Sequence, residues 1–123
     1  MEAKEFKILV ADDSLLARKK LITNLNELGY NNIFEAADGE EAVNKYKEEQ
    51  PNLIFMDIVM PKQYGLDALK EIMDINPNVI VIMVSTTGTK KNITDALKVG
   101  AADFILKPFT KSQITAVLQK YNR

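Results

Sequence analysis

The chain has 123 residues, of which 46% are hydrophobic and 27% charged, a composition typical of one globular domain. Its 16 basic and 17 acidic residues give a net charge of −1, so we predict no binding to nucleic acid or to a membrane surface. Cysteine and histidine are both absent, which excludes disulfides, thiolate or imidazole metal sites and any nucleophile activated by histidine. No apolar run is long enough to cross a bilayer and no signal-peptide pattern is present, so we expect a cytoplasmic protein.

Five predicted strands alternate with five predicted helices along the chain. The strands cover residues 6–11, 33–37, 53–56, 79–84 and 103–106. The predicted helix boundaries are Asp13 or Ser14 and Gly29 for the first helix, Asp38 for the start of the second, and a capping box of Thr110 and Gln113 at the start of the fifth. Such alternation predicts an α/β fold with right-handed crossovers and a parallel sheet covered by helices on both faces.

The third predicted strand is the centre of this sheet. Residues 53–56 are all apolar, as expected for a strand buried on both faces, and they lead directly into Asp57. A carboxylate belongs in such a run only where the strand reaches the surface. We therefore predict that Asp57 lies at the carboxyl end of the central strand and faces a cleft. We also predict a single domain over residues 1–123, with no output domain.

Polar residues follow four of the five predicted strands, namely Asp12 with Asp13, Asp57, Ser85 and Lys107. Open parallel sheets bind ligands outside the carboxyl ends of their strands, so we expect these side chains on one rim. Each residue alone also fits an ordinary role, such as a helix cap, a loop residue or a solvated lysine. Their coincidence at one rim favours a functional site.

The predicted site combines three carboxylates, one hydroxyl and one ammonium. Carboxylates in one cleft repel each other and attract a cation, and ligands that are all oxygen suit Mg²⁺ before Ca²⁺. An ammonium and a hydroxyl beside that metal can hold phosphoryl oxygens. Phosphoryl transfer requires positioning and charge neutralisation rather than a strong base, which suits a site without histidine. A carboxylate can act as the nucleophile there and form an aspartyl phosphate.

An ordered set of short motifs runs through nearly the whole chain: Asp12-Asp13, Asp57, Met60-Pro61, Gly65, Ser85, Gly100-Ala101 and Lys107-Pro108-Phe109. With this set the chain resembles the receiver domains of bacterial two-component response regulators, in particular the single-domain chemotaxis response regulators. The resemblance implies a doubly wound (βα)5 flavodoxin-like sandwich. It also implies a phosphorylation-activated signalling switch that is not a metabolic enzyme.

The resemblance implies a role for each acidic residue. Asp57 would accept the phosphoryl group from the phosphohistidine of a sensor histidine kinase or a phosphotransfer protein. Asp13, Asp57 and the backbone carbonyl of Val59 would bind Mg²⁺ directly, and Asp12 would bind it through water. Val59 and Thr87 stand at the two positions that tune dephosphorylation, and so phosphoryl lifetime, in the family. A phosphatase would be a further partner.

The remaining site residues would respond to the phosphoryl group. Lys107 would pair with one of its oxygens, and the peptide bond between Lys107 and Pro108 would be cis. Ser85 would turn its hydroxyl toward the phosphoryl group, and Phe104 would swing inward as Ser85 moves. The surface of the fourth helix, fifth strand and fifth helix would then change shape and bind a downstream protein.

Three other functions fit the same fold. A nucleotide- or flavin-binding protein is disfavoured because the first strand-to-helix turn, Asp12-Asp13-Ser14, has no glycine cradle for phosphate. A phosphatase with an aspartyl nucleophile usually carries a cap insertion, and no segment here is long enough for one. An inert pseudo-receiver that only binds other proteins is disfavoured by the complete acidic set.

Overall fold

The computed structural model describes residues 1–122 and contains five strands and five helices in strict alternation. The strands are β1 (Ile8–Ala11), β2 (Ile33–Ala36), β3 (Leu53–Met56), β4 (Ile80–Ser85) and β5 (Asp103–Leu106). The helices are α1 (Leu15–Glu27), α2 (Gly39–Glu49), α3 (Gly65–Ile75), α4 (Lys90–Val99) and α5 (Lys111–Tyr121). All four strand pairings are parallel and the order is β2-β1-β3-β4-β5. The predicted α/β fold with a parallel five-stranded sheet is confirmed, and β3 is its central strand.

The sheet separates two hydrophobic cores. On one face, α1 and α5 contribute residues such as Leu25 and Ile114, which pack with Phe55 of β3. On the other face, α2, α3 and α4 contribute residues such as Leu69, which pack with Met56 of β3. Because successive residues of a strand point to opposite faces, β3 supplies both cores and is fully covered. This arrangement confirms the doubly wound topology.

The predicted helix caps are present. Ser14, rather than Asp13, is the N-cap of α1, because its hydroxyl accepts the Ala17 amide at 3.2 Å. Asp38 caps α2 by accepting the Glu41 amide at 2.7 Å. Two further predictions also hold: Gly29 has a φ of 95°, and Thr110 and Gln113 form the capping box of α5. These local side-chain bonds explain why the helix starts could be read from short motifs.

Three strands differ from their predicted ranges by one or two residues at their ends. The strand predicted to begin at residue 6 begins at Ile8, because the Lys7 amide donates to the side chain of Asn52 at 2.8 Å instead of joining the sheet. The second strand ends at Ala36, one residue early, and the Ala37 amide donates to the Glu41 carboxylate at 3.2 Å. The fourth strand is shifted by one residue and includes Ser85.

Candidate functional site

The backbone hydrogen bonds of the sheet continue one residue past the ends of three strands and position the first residues of the site. The Asp12 amide donates to the Ala36 carbonyl at 3.0 Å, and the Asp57 amide donates to the Ala11 carbonyl at 2.9 Å. The Lys107 amide donates to the Ser85 carbonyl at 2.9 Å. These residues leave the sheet at the same rim because all the strands are parallel.

The Lys107 ammonium bridges two carboxylates of this rim. It donates to Oδ2 of Asp12 and, at 3.1 Å, to Oδ2 of Asp57. The three side chains are only 16%, 9% and 11% exposed, respectively, so water screens the contacts weakly. The bridge therefore stabilises the carboxylates at the rim with a cation from the protein itself.

The same bridge raises the pKa of Lys107. Burial alone would lower the pKa, since it disfavours the ammonium form, but the hydrogen bond to Asp12 and the charges of Asp57 and Asp12 outweigh burial. A pKa raised on folding stabilises the protein at pH values below the unfolded pKa, and this stabilisation is lost as the pH rises through the folded pKa.

We therefore expect the free energy of unfolding to fall more steeply with pH in the wild type than in Lys107→Met once the pH exceeds about 10. Urea denaturation of both proteins between about pH 8 and about pH 11.5 measures the difference between the two pH profiles. Parallel pH profiles would contradict the raised pKa.

Three carboxylates come together at this rim. Oxygen atoms of Asp12, Asp13 and Asp57 lie within 4.8 Å of one another. The second oxygen of each buried carboxylate is held by a backbone amide: Oδ1 of Asp12 by Ser14 at 2.9 Å, and Oδ1 of Asp57 by Ile58 at 2.7 Å. Asp13 is exposed. The donor set is entirely oxygen, so it fits a hard cation such as Mg²⁺.

Ser85 lies at the rim, but its hydroxyl is engaged away from the carboxylates. It is 1% exposed, and its Oγ lies 2.8 Å from the hydroxyl of Thr87 and accepts the Thr87 amide at 3.2 Å. The carbonyl of Thr87 in turn accepts the side-chain amide of Asn92 at 3.0 Å. The structure thus brings Asp12, Asp13, Asp57 and Lys107 into contact distance and holds the Ser85 hydroxyl against its own loop.

The other predicted site residues lie on the loop after β3, on β5 and directly after β5. Val59 lies two residues after Asp57 on the β3–α3 loop and is 52% exposed. Phe104 is partly buried and packs against the core on the α2, α3 and α4 face. The peptide bond between Lys107 and Pro108 is cis.

Sequence reasoning missed Arg18 and Asn92. Arg18 Nη1 donates to the backbone carbonyl of Asp12 at 2.7 Å, and its Nε donates to Glu35 on β2 at 3.1 Å. Neither residue belongs to a local sequence motif. The contact of Arg18 with Glu35 spans 17 residues, and Asn92 donates to the backbone carbonyl of Thr87. The only sequence feature that could have indicated a role for Arg18 is its charge on the inner side of α1.

Residues 8–119 match the family described as response regulator receiver domain. The chain belongs to the response regulator receiver domain family. Receiver domains of this type are phosphorylation-activated signalling switches of two-component systems, so this is the function of the domain. No helix within residues 1–122 is long and apolar enough to cross a membrane.

The relatives of this receiver domain include chemotaxis proteins. The chemotaxis protein CheY of Thermotoga maritima is 42% identical over 117 residues, which cover 95% of this chain and 98% of that protein. The CheY of Bacillus subtilis is 40% identical and covers 93% of this chain and 95% of its own length. The CheX–CheY–BeF3–Mg+2 complex from Borrelia burgdorferi contains a chain with a TM-score of 0.90 and 38% identity, covering 94% of this receiver domain and 89% of that chain.

Proposed function

We propose that Asp57 is the phosphoacceptor and that a sensor histidine kinase or a phosphotransfer protein is the donor. A carboxylate oxygen of Asp57 attacks phosphorus, the bond from phosphorus to the donor's histidine nitrogen breaks, and the nitrogen keeps the electron pair. The observation that supports this most directly is the convergence of three carboxylates and Lys107 at the end of the central strand. The Asp57 side chain is 11% exposed, which leaves it accessible at the rim yet held by its neighbours.

The proposed cofactor is Mg²⁺, bound directly by Asp13, Asp57 and the backbone carbonyl of Val59, and through water by Asp12. The oxygen-only donor set supports this assignment. When bound, Mg²⁺ would neutralise charge on the phosphoryl oxygens and on the carboxylates. Lys107 already contacts Asp57, so its ammonium is placed to hold a phosphoryl oxygen.

Phosphorylation adds about −1.5 to −2 charges at Asp57. The Ser85 hydroxyl then has a stronger acceptor than Thr87, so it would exchange its contact with Thr87 for one with the phosphoryl group. In the proposed switch Phe104 follows this movement inward. Val59 and Thr87 stay our predictions for the positions that set phosphoryl lifetime.

The proposed output is binding of a downstream protein to the surface of α4, β5 and α5. Leu97 of α4 and Leu106 of β5 support this surface, since each is 49% exposed. The Borrelia structure is a complex of CheY with a second protein, CheX. It supports the proposal that another protein also binds this chain. A phosphatase partner, a cytoplasmic location and a single domain over residues 1–123 stay predictions. We also propose that the chain turns over only its own phosphoryl group and no metabolite.

Incubation with acetyl phosphate and Mg²⁺ is expected to add one phosphoryl group to the wild type and none to Asp57→Asn. Intact mass spectrometry measures the gain, and the bond should be stable to acid and labile to base because it is an acyl phosphate. Omission of Mg²⁺ should abolish the gain. Asp74→Asn, an exposed carboxylate on α3, is the matched control and should be modified like the wild type.

Three outcomes would contradict the proposal. No gain in the wild type would favour an inert pseudo-receiver. A gain that persists in Asp57→Asn would assign the nucleophile to another residue. Continuous release of phosphate from added phosphate esters would instead support the aspartyl phosphatase.

A further inference from the structure

The guanidinium of Arg18 connects the acidic loop to the far edge of the sheet. Arg18 lies one turn into α1, and its side chain is only 13% exposed. One nitrogen, Nη1, donates to the carbonyl of Asp12 at 2.7 Å, while Nε donates to Glu35 at 3.1 Å. A single planar group thus ties the backbone of the β1–α1 loop to β2.

The carbonyl of Asp12 belongs to the peptide unit that joins Asp12 to Asp13. Because a peptide unit is planar, fixing that oxygen restricts the direction in which Asp13 leaves the loop. Within residues 1–122 the structure shows no hydrogen bond or ion pair that holds the Asp13 carboxylate itself. The direction of Asp13 therefore depends on its backbone.

Glu35 is the anchor of this connection. It also pairs with Lys19 at 3.1 Å, and the two cations act together on its carboxylate. Partial burial raises the pKa of Glu35, but the hydrogen bonds and charges of Lys19 and Arg18 outweigh burial and lower it. Glu35 is consequently ionised at neutral pH and available to orient the Arg18 fork.

We infer that Arg18 is a positioning residue for the metal site. It holds the peptide between Asp12 and Asp13 so that the Asp13 carboxylate meets a divalent cation without rearrangement of the loop, and Glu35 orients Arg18. This inference deepens the proposed function and depends on the proposed Mg²⁺ site. Outer residues that orient ligands typically change metal affinity by about 10–100-fold when they are replaced.

Replacement of Arg18 removes both its charge and its positioning bond, and these two losses should change the affinity for a cation in opposite directions. Removal of a positive charge close to three carboxylates should by Coulomb's law tighten the binding of a cation. Loss of the positioning bond should weaken that binding, because the loop must then be ordered at the expense of affinity. The sign of the change therefore separates the two effects.

Calorimetric titration of the folded protein with MgCl₂ alone tests the inference without phosphorylation. Arg18→Met keeps most of the apolar stem and removes both bonds, and its Mg²⁺ Kd is expected to rise about tenfold. Arg18→Lys keeps the charge but not the fork, and its Kd should also rise. Lys19→Met removes a neighbouring charge that also contacts Glu35, but not the bond to Asp12, and should leave Kd within about twofold of the wild type.

Failure of the inference can be separated from failure of the proposed function. Mg²⁺ binding by the wild type with an equal or lower Kd in Arg18→Met would overturn the role of Arg18 and leave the metal site standing. No Mg²⁺ binding by the wild type would overturn the metal site and the inference together. Should Arg18→Met fold poorly in thermal unfolding, Arg18→Lys and Glu35→Gln decide the matter, and unchanged Kd values in both would overturn the inference.

Discussion

Replacement of Lys107 by methionine is expected to lower the free energy of unfolding by about 3 kcal/mol in metal-free buffer. The change removes the ammonium that donates to Asp12 and Asp57 and leaves two nearly buried carboxylates without their cation. Methionine retains the length of the stem, so the loss of packing is small. Phosphorylation by acetyl phosphate should also be slow in this variant, because a cation that faces the phosphoryl oxygens is missing.

Urea denaturation in the presence of EDTA measures the loss of stability in Lys107→Met. The same experiment with Mg²⁺ measures how much of that stability the metal restores. A divalent cation can replace the lost ammonium, so most of the stability should return, and Mg²⁺ should stabilise this variant more than the wild type. Lys111→Met is the control, because Lys111 is 49% exposed and its pair with Glu27 at 3.7 Å should contribute less than about 1 kcal/mol. A metal-free Lys107→Met as stable as the wild type would show that Lys107 does not neutralise the rim.

Replacement of Gly65 by alanine is expected to be equally severe, for a steric reason. A Cβ atom at Gly65 would lie 1.9 Å from the backbone oxygen of Asp57 and 2.9 Å from the Cα of Ile58. The Gly65 amide also donates to the Ile58 carbonyl at 2.7 Å, which presses the start of α3 against the end of β3. Backbone on both sides must move, so we expect a loss of about 3 kcal/mol in stability.

This movement should also displace Asp57. A shift of about 1 Å at a reacting group can slow a reaction about 100-fold, and we expect a loss of that order in the rate of phosphorylation by acetyl phosphate. Gly88→Ala is the matched control. Its Cβ would lie 1.8 Å from Cδ2 of Leu106, which is the end of a flexible, half-exposed side chain that can rotate away. Equal losses of stability and rate in the two variants would contradict the backbone explanation.

Most of the fold could be predicted from local features of the chain. Apolar runs marked the strands, and Ser14, Asp38 and Thr110 marked helix starts because capping bonds join residues three positions apart. Strand ends were less accurate, because they depend on distant partners. The contact of Lys7 with Asn52, for example, spans 45 residues and delays the start of β1.

The candidate site, like the fold, could be predicted only in part. The meeting of Asp12, Asp13, Asp57 and Lys107 could be predicted because parallel topology alone brings their strand ends to one rim. The direction of the Ser85 hydroxyl could not be predicted, since it depends on which of several acceptors its rotamer reaches. The contact of Arg18 with the Asp12 carbonyl could not be predicted either, because backbone oxygens carry no signal in the sequence.

The division of the interior by the sheet bears on how this domain can change over time. The core around Leu25 and the core around Leu69 are filled by different helices and lie on opposite faces of the sheet. A lineage or an engineer can therefore repack one side while the other keeps β3 in register, and free-energy changes from the two sides should add. Packing on both faces of β3 thus maintains the position of Asp57. The outer faces of the helices can therefore diverge toward new binding proteins.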